Sequence, residues 1–230
     1  LFQSHIPSTY LVVPAEGPLV LYGGYSTPLD TIDDFRPAHS VTAFDSGLDL
    51  SAVAAGFAVD LATYLSEVGL PSTAVVGLER TTPSGHTALT NAGLRVVDAE
   101  SAVELARSRK SPPELDALRY SIDVAEQGMA AMEAALVPGI SENQLWSILH
   151  QVNIAHDGDW MDGRMLCSGP RSNPWNQEAS DRTIEVGDLV PFDTDMIGPF
   201  GYCADISRTF LCGGVPPTAE QSDLYELARA

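Results

Sequence analysis

Asp193, Asp195 and Asp205 stand within one stretch, PFDTDMIGPFGYCADISRTF (191–210). Hard cations take several oxygen ligands at once, and a hairpin with acids on both arms can bring carboxylates to one point. The run LVPFDTD reads as a strand, on which side chains two apart share a face. Asp193 and Asp195 therefore point one way and Thr194 the other. Gly198, Pro199 and Gly201 mark a turn, and GYCADISRTFLC reads as the returning strand. To join the other two acids, Asp205 must stand opposite Asp193 or Asp195, and its index sums with them, 398 and 400, are both even. A two-residue loop at Pro199 and Phe200 would give the odd sum 399 and turn Asp205 to the wrong face. The expectation is a loop of odd length or a bulge, with three carboxylates on one side. Such a set can bridge two metal ions about 3.5 to 4 Å apart, as two-metal hydrolases do. Solvated Asp-rich turns also occur in a chain this acidic. Here Leu189, Val190, Phe192, Met196, Ile206 and Phe210 make the strands apolar, and buried carboxylates are costly unless a cation or donor meets them.

The hairpin needs a scaffold, and the periodicity upstream supplies one. A helix is expected over 113–136, with Pro113 in its first turn, Glu114 and Asp116 at its positive end, and Leu118, Ile122, Ala125, Met129, Met132 and Leu136 as its core stripe. A second helix over 142–155 follows Ser141 as N-cap. Strands are expected at 164–167, 188–195 and 202–210, and a last helix from Thr218. Earlier in the chain, strands at 10–13, 19–22, 73–77 and 94–97 alternate with helices over 49–68 and 86–92; Val53, Phe57, Leu61 and Leu65 carry the core face of the longer one. That alternation argues an α/β layer domain. It ends near Arg109, where SRKSPP interrupts the pattern, giving an α/β domain over 1–109 and a second domain over 110–230. No internal repeat and no glycine loop suited to phosphate is visible.

Composition narrows the partners. A net charge of -19 with only 12 Lys and Arg repels nucleic-acid phosphate and anionic membrane, but not a cationic or zwitterionic small molecule. The same acidity also suits a protein kept soluble in salty surroundings. The 44% apolar content over 230 residues is enough for a sizeable core. Cys167, Cys203 and Cys212 match no zinc spacing and read as thiols of a reducing compartment, with Cys203 on the face of Asp205. His5, His39, His86, His150 and His156 read as surface or hydrogen-bonded residues rather than ligands. Neither a secretory leader nor a run of about 18 apolar residues is seen, so a cytoplasmic protein is expected, although the chain opens on Leu1 rather than Met.

The strand acid, the glycine-bearing turn and GY-x-x-D-I-x-R-T-F resemble the metal-binding hairpin of the pita-bread family, which holds methionine and X-prolyl aminopeptidases, prolidase and creatinase. Lys110, Ser111, Glu114, Leu118 and Arg119 resemble that family's entry to its first catalytic-domain helix. Val137 to Glu142 resembles the next helix junction, and Val186 to Val190 the turn into the metal strand. The resemblance implies a creatinase-like α/β N-terminal domain followed by part of an α+β pita-bread catalytic domain, and a homodimer. Its histidine and two glutamate ligands come well after the hairpin, so about half of the catalytic domain is expected here.

Two departures matter. The peptidases carry their first-strand Asp eleven residues before the second metal Asp, the position Thr194 holds here, with acids on either side of it. They also carry a His shortly after a Ser-Gly turn, and Cys167 to Asn176 has none. The strings DTDMIGPFGYCAD and SGPRSNPW, with the opening LFQSHIPSTYLVV, are similar to one subgroup, the dimethylsulfoniopropionate lyases of marine bacteria. That resemblance implies Asp193, Asp195 and Asp205 as ligands of a dinuclear centre, with iron first and zinc or manganese as alternatives. It also implies β-elimination to dimethyl sulfide and acrylate, with a carboxylate base in the C-terminal half. Trp175 is a candidate wall for the sulfonium, since cations sit well on indole faces, or else packs its Pro-rich turn. An X-prolyl peptidase and an inactive binding module are the other readings.

Overall fold

The computed structural model describes residues 9–23, 31–71, 73–176 and 178–229, apart from the side chain of Asp45. His5 and the first residues of the opening motif lie outside the described residues. The chain divides between Arg109 and Lys110 into two compact units.

In the first unit, β1 (Tyr10–Val12) pairs antiparallel with β2 (Val20–Tyr22), which pairs parallel with β3 (Asp34–Arg36). The short α1 (Ala43–Ser46) leads to α2 (Leu50–Glu67), whose N-cap Asp49 accepts from Ala52 N at 3.2 Å. Then β4 (Val75–Leu78) and β5 (Arg95–Asp98) pair in parallel around α3 (Pro83–Asn91), as a β-α-β crossover requires. Phe57, Leu61, Tyr64 and Leu65 of α2 close the core with Val20, Tyr22, Leu89 and Leu94. The expected helix over 86–92 begins earlier, because Thr82 caps it and Pro83 takes its first position. Three elements of this unit lie outside the expected pattern: α1, β3, and α4 (Glu100–Ser108), which buries no residue.

In the second unit, α5 (Pro112–Ala135) opens with a capping box in which Ser111 N donates to Glu114 Oε2 at 2.7 Å. This holds the Glu114 carboxyl below the usual range, with the Tyr202 hydroxyl assisting. Its stripe is rotated from the expected one: Ser121, Val124 and Gly128 face inward beside Ala125, Met129 and Met132, while Ile122 is 40% exposed. Gly128 explains the rotation. A Cβ there would collide with Leu149 Cδ1, so the missing side chain lets α6 (Glu142–Ala155) approach closely. Asn153, buried at the end of α6, donates from Nδ2 to Ile197 O at 3.0 Å and so ties the helix to the hairpin.

The sheet elements are β6 (Trp160–Met161), β7 (Leu189–Asp193), β8 (Met196–Ile197), β9 (Cys203–Ala204) and β10 (Ser207–Leu211), followed by α7 (Ala219–Arg229). β7 pairs antiparallel with β10, and β8 lies between β6 and β9. The segment expected as a strand over 164–167 forms only single bridges, Arg164 with Glu178 and Leu166 with Phe192. Val190, Phe192, Thr194 and Met196 are all buried, and the odd-numbered residues between them are less so. This is the period-two alternation of a half-buried hairpin. Among the described residues no helix is long and apolar enough to cross a membrane.

Candidate metal centre

One register runs through both halves of the hairpin. Asp193 pairs with Ser207 and Met196 with Ala204, each pair having index sum 400. Asp195 and Asp205 fall on the same sum, so the odd loop between Ile197 and Cys203 keeps them on one face without a bulge. The loop is built for this. Ser121 Oγ donates to Pro199 O at 3.3 Å, Tyr202 Oη donates to Glu114 Oε1 at 3.1 Å, and a Cβ on Gly198 would lie 2.8 Å from Ser121 Oγ. The tip is thereby fastened to α5, with Phe200 turned outward at φ 62° and 65% exposed.

The three carboxylates meet. One ligand atom from each of Asp193, Asp195 and Asp205 lies within 4.8 Å of the others. Without a cation the acids burden one another. Hydrogen bonding to Asp193, then burial, then the charges of Asp193 and Asp195 push the Asp205 carboxyl up to about 6. Asp195 is also raised, first by burial and then by Asp193 and Asp162, with a hydrogen bond from Asp205 opposing. Asp193 Oδ1 is buried without a hydrogen-bond partner. Raised carboxyls crowded together and an orphaned carboxylate oxygen fit a cation site, and an all-oxygen donor set suits a hard cation.

Asp162 was not foreseen. Its N–H donates to Asp195 O at 3.0 Å, one step beyond the Met161–Met196 pair, so it extends the acidic face onto the neighbouring strand. An acid following the two-residue strand Trp160–Met161 gives little signal in the sequence.

Trp175 lies in the turn after Asn173–Pro174, a cis peptide, and is 38% exposed. The turn is closed by Asn176 N donating to Arg171 O at 3.1 Å. Arg171 in turn ion-pairs with Glu142, whose side chain is fully buried at the start of α6. Ser168 Oγ donates to Glu142 Oε1 at 2.7 Å, and Ser180 donates to Oε2 from both N and Oγ at 3.0 and 2.7 Å. Arg182 links Ser168 to Asp188, at 2.5 and 2.6 Å. The SGPR motif is thus a buried ionic clamp beneath the turn. Spacing could not reveal it, because its members come from four separate segments.

Cys203 is exposed and Cys167 and Cys212 are buried, their thiols raised by burial. His150 is lowered by burial, and His39 pairs with Asp60 at 2.5 Å. Among the described residues the acids alone form a candidate metal cluster.

A pita-bread hairpin carrying converging acids defines a metallohydrolase-like scaffold, and the relatives agree. Metallopeptidase family M24 matches residues 116–230, and the chain belongs to that family. It is 32% identical over 232 residues to the dimethylsulfoniopropionate lyase DddP of Roseovarius nubinhibens, covering 96% of this chain and 51% of the relative. The DddP of Roseobacter denitrificans gives 32% over 233 residues, with coverages of 96% and 51%. The chain therefore spans about half the length of these curated relatives. Among solved structures, the Xaa-Pro dipeptidase of Bacillus anthracis matches with a TM-score of 0.74 at 19% identity, over 98% of this chain and 59% of the other, which shows the fold.

Proposed function

We propose that this chain is part of a metal-dependent carbon-sulfur lyase that cleaves dimethylsulfoniopropionate to dimethyl sulfide and acrylate. The observation that carries the reading is the respaced acid set: Asp193, Asp195 and Asp205 converge, while the position between the first two is a buried Thr194. The 32% identity to two lyases over nearly the whole chain supports it.

In this reading the three carboxylates hold a dinuclear centre, with iron first and zinc or manganese as alternatives. When bound, such ions supply Lewis-acid stabilisation of negative charge building on a substrate carboxylate. Trp175 offers an indole against the sulfonium, worth about 0.5 kcal/mol at an exposed site and about 2 kcal/mol when the cation is desolvated. A base removes the proton next to the carboxylate, its electron pair forms the carbon-carbon double bond, and the carbon-sulfur pair leaves with neutral dimethyl sulfide. We assign that base to the part of the relatives' length that this chain does not span. A cytoplasmic homodimer belongs to the same reading.

An X-prolyl peptidase is the second reading, favoured by the family match and by the dipeptidase fold. Metal analysis of the full-length protein tests the ligand assignment on which both depend. Asp195→Ala and Asp205→Ala should each lose metal, since each removes a charged oxygen ligand, and full occupancy in both would remove the assignment.

A further inference from the structure

The paired registers of the hairpin stop at Asp193 with Ser207 and resume at Met196 with Ala204. Inside the gap, Thr194 is 0% exposed. Its Oγ1 donates to Ala204 O at 2.7 Å and accepts from Ile206 N at 2.9 Å, the two backbone groups that flank Asp205. The next residue, Asp195, has φ 35°, in the left-handed region that residues other than glycine seldom occupy. One carboxylate oxygen of each acid lies within 4.8 Å of the others. At the break no ladder pair joins the two arms beside Asp195 and Asp205, and the Thr194 hydroxyl spans it instead.

We propose that Thr194 is the positioning residue of the carboxylate set: its hydroxyl bridges the arms at the break, fixing Asp205 while Asp195 leaves the extended conformation. The inference rests on the reading of the three acids as metal ligands. It needs the hydroxyl and not merely the volume, since both bonds run through Oγ1, the one to Ala204 O buried and the one from Ile206 N part-buried.

The test is zinc uptake by equilibrium dialysis on the full-length protein, with the melting of each metal-free variant followed by circular dichroism. Thr194→Ser keeps both bonds and should bind zinc within about threefold of the wild type. Thr194→Val keeps the shape, removes both bonds and should bind at least about tenfold more weakly. Thr194→Cys, a weaker hydrogen-bonding group of similar size, should fall between them. Wild-type affinity in the valine variant, or a serine variant as weak as valine, would overturn the proposal. If the valine variant does not fold, wild-type affinity in the cysteine variant overturns it instead. A wild-type protein that takes up no zinc would overturn the ligand reading and this inference with it.

Discussion

Asp195 stands opposite Asp205 across the hairpin, on the register that pairs Asp193 with Ser207 on one side of them and Met196 with Ala204 on the other. Two acids facing each other, with a third two residues away, form a site whose charge must be neutralised by a proton or by a cation. Which of the two is bound sets how the protein responds to pH.

With metal removed, the Asp205 carboxyl is raised to about 6, so the folded chain holds this proton more tightly than the unfolded one. Its contribution to stability is fully present below about pH 4 and is lost as pH rises through about 6. Thermal melting of metal-free protein should therefore show Asp205→Asn gaining on the wild type between about pH 4 and pH 7. Saturating metal should reverse that gain, because the ligand carboxylate then favours its charged form. A difference between the two proteins that ignores pH would contradict the shared-proton picture.

The clamp beneath the Trp175 turn makes a second prediction. Glu142→Ala leaves Arg171 without its buried counter-charge and Ser180 N without its acceptor. Breaking such a pair by removing one partner costs about 3 to 5 kcal/mol. Urea unfolding should register a loss of that order, whereas Glu178→Ala, which breaks an exposed ion pair with Arg164, should cost at most about 1 kcal/mol. Equal losses would show that the buried network adds nothing special.

The contrast between the hairpin and this clamp shows what the sequence can disclose. Parity alone ties the face of Asp205 to an odd loop or a bulge, because the strand period of two leaves no third choice; the structure has the odd loop. The rotation of α5 stayed hidden: Ile122 looks like a core residue until Gly128 is known to admit Leu149. Glu142 looks like an ordinary first-turn acid of α6, since nothing local reports partners drawn from Ser168, Arg171 and Ser180. The strand period puts Thr194 on the face opposite the acids, and it is buried there; that its hydroxyl ties the two arms depends on a break in the ladder that no local pattern encodes.

Trp175 can be tested on its own. If its exposed indole faces the sulfonium, Trp175→Ala should weaken substrate binding by about 0.5 to 2 kcal/mol, with metal content unchanged. Unaltered affinity would leave Trp175 as packing for the Asn173–Pro174 turn.

The central claim is tested most directly by gas chromatography of the headspace over metal-loaded, full-length protein given dimethylsulfoniopropionate, beside a prolyl-dipeptide hydrolysis assay on the same preparation. The account predicts dimethyl sulfide with acrylate in equal amount, and essentially no cleavage of the dipeptide. Hydrolysis of the X-Pro bond with no dimethyl sulfide released would contradict the lyase reading and put the peptidase in its place.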